Sequence, residues 1–173
     1  MDIKIIENAL RDYRRKKSVI ETTLARIETY QEAISNPDIH RGLFLGSSKE
    51  PGMPMSSTYG GTSAVEYAIL SKEDEIKLLH EWISDDRSRI YPYQIELQQI
   101  DGALGALNKQ QRFIIEYKYF EGKFWRELEK DFNEEFRGHN YITVEGIRKM
   151  NRQAIELMEK ILKPYYNRFK IKK

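Results

Sequence analysis

The sequence predicts an all-α protein in two parts: a long amino-terminal helical hairpin or coiled-coil region over 1–90, and a domain of shorter helices over 91–173. Three features carry this prediction. Apolar residues recur at steps of three and four through most of the chain, which is the period of a helix face and not of a strand. Glycine, proline and serine concentrate between 35 and 62, leaving long windows on either side that helices can fill. The last third alternates short periodic windows with turn-forming residues.

The first helix is expected from Asp2 to about Ile34. One heptad seam holds Ile6, Tyr13, Ile20, Ile27 and Ile34, and the other Ile3, Leu10, Lys17, Leu24 and Gln31, a coiled-coil spacing with two polar interruptions. The basic run Arg14, Arg15, Lys16 and Lys17 reads first as a solvated face and second as a contact for nucleic acid. Asn36-Pro37 ends the helix, and 35–62 is expected as a flexible connector. Its glycines follow no strand, so they do not make a phosphate-cradling loop.

A second long helix is expected from Ser63, with Glu66 completing a capping box and Ser71 with Asp74 offering an alternative start. Its stripe runs Val65, Ile69, Ile76, Leu79, Ile83 and Ile90, interrupted at Lys72 and Asp86. Each of these seams is narrow, which favours burial against a second copy and hence a homodimer. Tyr91-Pro92 is expected to end this helix, and a further one to run from Pro92 to Leu107.

The terminal unit then reads as helix, glycine-marked turn, helix, loop and helix. Asn108 caps the helix of Phe113, Ile114, Tyr117 and Phe120; Glu121-Gly122 turns; Trp125, Leu128 and Phe132 mark the next helix. Asn133 to Ile142 forms a loop, and Thr143 opens the last helix, whose core stripe is expected at Val144, Ile147, Met150, Ala154, Leu157 and Ile161. The opposite face carries Glu145, Arg148, Lys149, Arg152 and Gln153. This is the helix order of a helix-turn-helix DNA reader. From Tyr141 onward there are 9 basic against 3 acidic side chains, although the whole chain carries a net charge of only +2. The positive charge therefore lies where phosphate contacts would be made.

In that reading Arg148, Lys149 and Arg152 are the recognition residues, with Asn151 and Gln153 able to pair with adenine. Lys123, Arg126 and Thr143 face the DNA backbone. Glu145 either accepts from a cytosine amino group or favours the positive end of its helix. Arg137 and His139 in the loop are further candidates for the backbone. The plainer alternative is a three-helix bundle whose last helix is merely solvated by charge, and Phe124 and Trp125 need no role beyond a small core.

The stretch from Leu104 to Leu162 resembles the carboxy-terminal helix-turn-helix domain of bacterial sigma factors. The matching residues are Leu104 and Leu107; Gln111-Arg112-Phe113-Ile114-Ile115; Tyr117, Tyr119-Phe120-Glu121-Gly122; Trp125-Arg126-Glu127-Leu128; Thr143-Val144; and Arg148, Arg152, Ala154 and Met158. They span about a third of the chain. In layout the whole resembles the ArpU and RinA families of phage late-gene regulators. The resemblance implies a sequence-specific transcription regulator of phage or prophage operons, acting on double-stranded promoter DNA in the cytoplasm of a bacterial host. The front helices would then self-associate and contact host RNA polymerase. The ten-residue loop Asn133–Ile142 departs from the sigma pattern, where that turn is about four residues. A small terminase subunit that recognises phage DNA for packaging and a helical adaptor that binds no DNA are the competing classes.

Other chemistry finds little footing. The absence of cysteine excludes disulfides and thiolate sites. His40, His80 and His139 show no metal-ligand spacing, and no nucleophile stands beside a base. No enzyme activity, cofactor or metal is expected, and no apolar run has membrane length.

Overall fold

The structure is a computed structural model that describes residues 3–36, 64–136 and 140–168 with the isolated positions 39 and 43; of 64–71 it describes the backbone alone. Among these residues there are five α-helices and no strand: α1 (Ile3–Ser35), α2 (Ala64–Gly105), α3 (Lys109–Ile115), α4 (Trp125–Phe136) and α5 (Val144–Arg168), with a π-helical turn at Glu116–Phe120. The fold is all-α. No helix among the described residues is long and apolar enough to cross a membrane. The expected connector 35–62 and the capping box at Ser63 and Glu66 lie almost wholly outside the described residues.

The chain divides into two compact units, Ile20–Tyr91 and a second one joining Met1–Val19 to Pro92–Lys173. The first nineteen residues thus belong with the carboxy-terminal helices, which departs from the expectation of a separate front half. α2 also departs from the sequence reading at Pro92, where it continues unbroken. Proline removes the bond that its amide would give the Ser88 carbonyl, at a cost of about 3 kcal/mol. Both Ser88 and Pro92 lie on an exposed stretch of the helix. Burial of Ile90, Leu97 and Ile100 on either side holds the helix together.

In the Ile20–Tyr91 unit, Ile27, Ile83 and Ile90 form a core that Ile20, Tyr30 and Ile34 extend. Arg26 meets Asp86 and Tyr30 packs on Trp82, so advancing four residues on α1 means retreating four on α2, and the two segments run antiparallel. The polar break at Asp86 is an ion pair: the Arg26 guanidinium donates two bonds of 2.7 Å to its carboxylate, which is 7% exposed. A buried carboxylate is tolerated because a planar donor satisfies both oxygens.

The α1 seam also differs from expectation. Ile6 and Ile27 are buried and Tyr13, Ile20 and Ile34 half-buried, as one heptad position requires. Of the other expected position only Leu10 is buried; Ile3 and Leu24 are exposed. The second row falls instead at Ala9, Lys16, Thr23 and Tyr30, which are buried or half-buried. Small and hydrogen-bonding side chains admit a close neighbour there, and Lys16 is made compatible with burial by Glu96 at 2.7 Å.

Within the second unit, Ile114 of α3, Leu128 and Phe132 of α4 and Ile147 of α5 make a fully buried core, against which Phe113, Tyr117, Trp125, Phe136, Ile142 and Met150 pack. Residues of Met1–Val19 fasten to the same unit. Tyr13 stacks on Phe120 with ring centres 4.3 Å apart and donates to Asp101 at 2.7 Å. Arg14 donates to the Phe120 carbonyl at 3.0 Å, and Arg15 pairs with Asp12 at 3.1 Å. Most of the basic run on α1 is therefore used inside the fold.

Candidate nucleic-acid interface

α3 begins at Asn108, whose side chain accepts from the Gln111 amide at 2.8 Å while Gln111 accepts from the Asn108 amide at 3.3 Å, a complete capping box. The helix widens into the π-helical turn, where the Glu121 amide reaches back to the Glu116 carbonyl at 3.1 Å. Gly122 then adopts φ +71°, the left-handed conformation that reverses the chain at low cost only for glycine. α4 starts after Phe124, whose amide donates to the Glu127 carboxylate at 2.8 Å.

The link from α4 to α5 is shorter than the sequence suggests. α4 runs on to Phe136, because that ring packs edge-on to Phe113 at 5.2 Å and beside Phe132 at 5.0 Å. The expected loop over Asn133–Ile142 thus contracts to 137–143, of which Arg137, Gly138 and His139 lie outside the described residues. Asn133 organises what remains: its amide donates to the Ile142 carbonyl at 2.8 Å and accepts from the Ile142 amide at 2.7 Å, a two-bond clamp from helix to loop. Glu129 closes the joint from the other side by accepting from the Val144 amide at 2.9 Å.

That last bond bears on Thr143, which is expected from the sequence to face the DNA backbone. Thr143 does occupy the cap position, its carbonyl accepting from Ile147 at 3.1 Å, and its side chain is exposed. The Val144 amide next to it is already taken by the Glu129 carboxylate of α4. The positive end of the helix is neutralised within the protein.

The remaining predicted residues separate clearly. Glu145, Arg148, Lys149, Arg152 and Gln153 are all exposed and follow one another at helical spacing, so they form one continuous stripe on α5. Arg126, in the first turn of α4, is exposed too. Lys123 is engaged: its ammonium lies 2.6 Å from Asp131, 3.9 Å from Glu121 and 4.4 Å from the centre of the Tyr117 ring. The Asp131 hydrogen bond raises its pKa, and a DNA phosphate would have to displace an intact ion pair.

Asn151 is corrected. It is 7% exposed, and its amide donates to the Tyr119 hydroxyl at 3.2 Å, which in turn donates to Glu7 at 3.0 Å. Its Oδ1 is buried without a hydrogen-bond partner among the described residues. It holds α5 within the unit and cannot reach a base. The core stripe of α5 is correspondingly rotated from the expected one. Ile147, Asn151, Ala154, Ile155, Met158 and Leu162 are buried, whereas Ile161 is exposed and Leu157 half-buried.

Sequence reasoning also missed a cluster at the joint of the π-helical turn, α4 and α5. The Lys118 ammonium lies 4.8 Å from the centre of the Trp125 indole, and the Arg148 guanidinium carbon 5.6 Å from it. Lys118 also donates to the Lys123 carbonyl at 2.9 Å. Burial lowers its pKa, and the nearby charges of Arg11 and Arg148 lower it further. Nothing in the linear order of Lys118, Trp125 and Arg148 signals their meeting, which depends on the bend at Gly122 and on the angle of α5.

No group of acidic and histidine side chains among the described residues could hold a metal ion; His80 is exposed, and His40 and His139 lie outside them. Comparison with protein-family models, with curated proteins and with solved structures finds no match to this chain.

Proposed function

We propose that the protein is a sequence-specific DNA-binding transcription regulator of phage or prophage late operons, of the ArpU and RinA kind, working in the bacterial cytoplasm. α4 and α5 act as a sigma-like helix-turn-helix pair, with α5 in the major groove of promoter DNA. The observation that carries this reading is the exposed stripe Glu145, Arg148, Lys149, Arg152 and Gln153, on a helix whose other side is anchored in a buried core. A recognition helix needs that combination, since base contacts are selective only when the reading side chains start from a fixed backbone. Arg126 and Thr143 flank the stripe towards the sugar-phosphate backbone. Lys123 joins them only if it leaves Asp131.

The Ile20–Tyr91 unit mediates self-association as a homodimer and offers a surface to host RNA polymerase. Its two antiparallel segments leave Leu24, Leu78 and Trp82 exposed, an apolar load that a second copy would cover. The test is binding of the whole chain to labelled duplex by fluorescence anisotropy across a range of salt, with its mass in solution. A dimer whose affinity falls steeply with salt, and falls further in Lys149→Ala/Arg152→Ala, is the expected result. Salt-independent or absent binding would leave a helical adaptor, and a ring of eight or more subunits would favour a packaging subunit.

A further inference from the structure

Among the described residues, Lys118 has no carboxylate in ion-pair contact and Arg148 has one, Glu145, at 4.0 Å. Lys118 and Arg148 come from different elements, and each places its charge within 6 Å of the centre of the Trp125 ring. Lys118 is fixed in direction by its bond to the Lys123 carbonyl, which uses one of its three N–H donors and leaves two. Two carboxylates are near. Glu127 already accepts the Phe124 amide, and Glu145 approaches Arg148 only at 4.0 Å, on an exposed helix face. Arg11 adds a third positive charge nearby; burial lowers the pKa of Lys118, and Arg11 and Arg148 lower it further.

We propose that Lys118 and Arg148 together hold one backbone phosphate of bound duplex DNA, with Trp125 as the platform that orients both cations. This rests on the DNA-reading function proposed above and refines it by moving Arg148 from base reading to backbone gripping. A phosphate presents oxygens in several directions and so suits donors arriving from two elements, whereas a guanine edge needs a free planar fork from one side chain. Arg148 is held over the indole. Arg152, one turn further along α5, makes no ion pair or ring contact with the described residues and is left, with Lys149, to read base edges.

The experiment compares the whole chain with Lys118→Met/Arg148→Met, which keeps side-chain length and apolar contact with the indole. Affinity for two duplexes of unrelated sequence is measured over a range of salt, and helicity is checked by circular dichroism. One lost phosphate contact should make the slope of log affinity against log salt shallower by about 0.9, equally on both duplexes. Lys118→Arg, which keeps the charge, should retain the original slope and serves if the double variant loses helicity. An unchanged slope in the double variant, or a loss confined to one duplex, overturns the phosphate grip while leaving the regulator reading intact. Absence of salt-dependent binding by the unaltered chain overturns both.

Discussion

Gly146 tests the geometry that presents α5. A Cβ built there would lie 2.8 Å from the Ile142 Cγ2 methyl, roughly 0.7 Å inside ordinary carbon–carbon contact. The methyl cannot move away easily. It hangs on a β-branched carbon with a stiff χ1, and the Ile142 backbone is tied by both Asn133 bonds. Overpacking of this sort costs about 1–3 kcal/mol, whereas replacing glycine by alanine within a helix gains at most about 1 kcal/mol. Steric cost wins, and Gly146→Ala should destabilise by about 1–2 kcal/mol in urea unfolding followed by circular dichroism. In an Ile142→Ala background the obstruction is gone, and the same substitution should turn neutral or stabilising. Stabilisation by Gly146→Ala in the unaltered chain, or an equal loss in both backgrounds, would refute the reasoning.

Other substitutions probe the remaining departures from sequence expectation. Pro92→Ala should raise stability by about 2 kcal/mol, because the regained helix bond outweighs the added freedom of the unfolded chain; a lower urea midpoint would contradict an unbroken α2. Arg26→Ala strands the buried Asp86 carboxylate and should cost about 1–3 kcal/mol, with Asp86→Asn partly rescuing it in the double variant. Alkaline titration tests the tyrosines. Burial pushes Tyr119 up to about 12 and burial with the Asp101 contact pushes Tyr13 up to about 12, from an ordinary value near 10. Both are neutral when folded, so their contribution is complete below pH 10 and is lost as pH climbs from 10 towards 12; for Tyr119 alone it amounts to roughly 2–3 kcal/mol. Tyr119→Phe should flatten that decline, and an unaltered alkaline profile would argue against its burial.

The helices were legible where composition leaves no choice. Between Ile3 and Ser35 there is neither glycine nor proline, and the Asn108–Gln111 capping box is written directly in the residue types. The sequence misled where a polar residue does the packing of an apolar one. Asp86 reads as an interruption of its stripe and Lys16 and Thr23 fall outside both expected seams, yet each is buried or half-buried, and Lys16 and Asp86 owe this to a partner about sixty or more residues away. Asn151 shows the same failure inside the candidate site. It lies between Lys149 and Arg152 in sequence, and only its bond to Tyr119 reveals that it faces inwards. Pro92 failed for another reason. A proline rule counts the local bond that is lost but not the burial on both flanks that holds the helix through it.

The exposed charge stripe on α5 was readable from helical spacing alone, since Glu145, Arg148, Lys149, Arg152 and Gln153 obey one period. The meeting of Lys118 and Arg148 at Trp125 was not, because it is a product of tertiary geometry. A stripe of this kind also serves a merely solvated helix, and what distinguishes a reader is selectivity among sequences. The most direct measurement is enrichment of the whole chain's targets from a random duplex pool, repeated with Lys149→Ala/Arg152→Ala. The regulator account predicts that the unaltered chain enriches a defined motif and that the variant loses it while keeping residual, salt-sensitive affinity. A pool that emerges unenriched with the unaltered chain would contradict it.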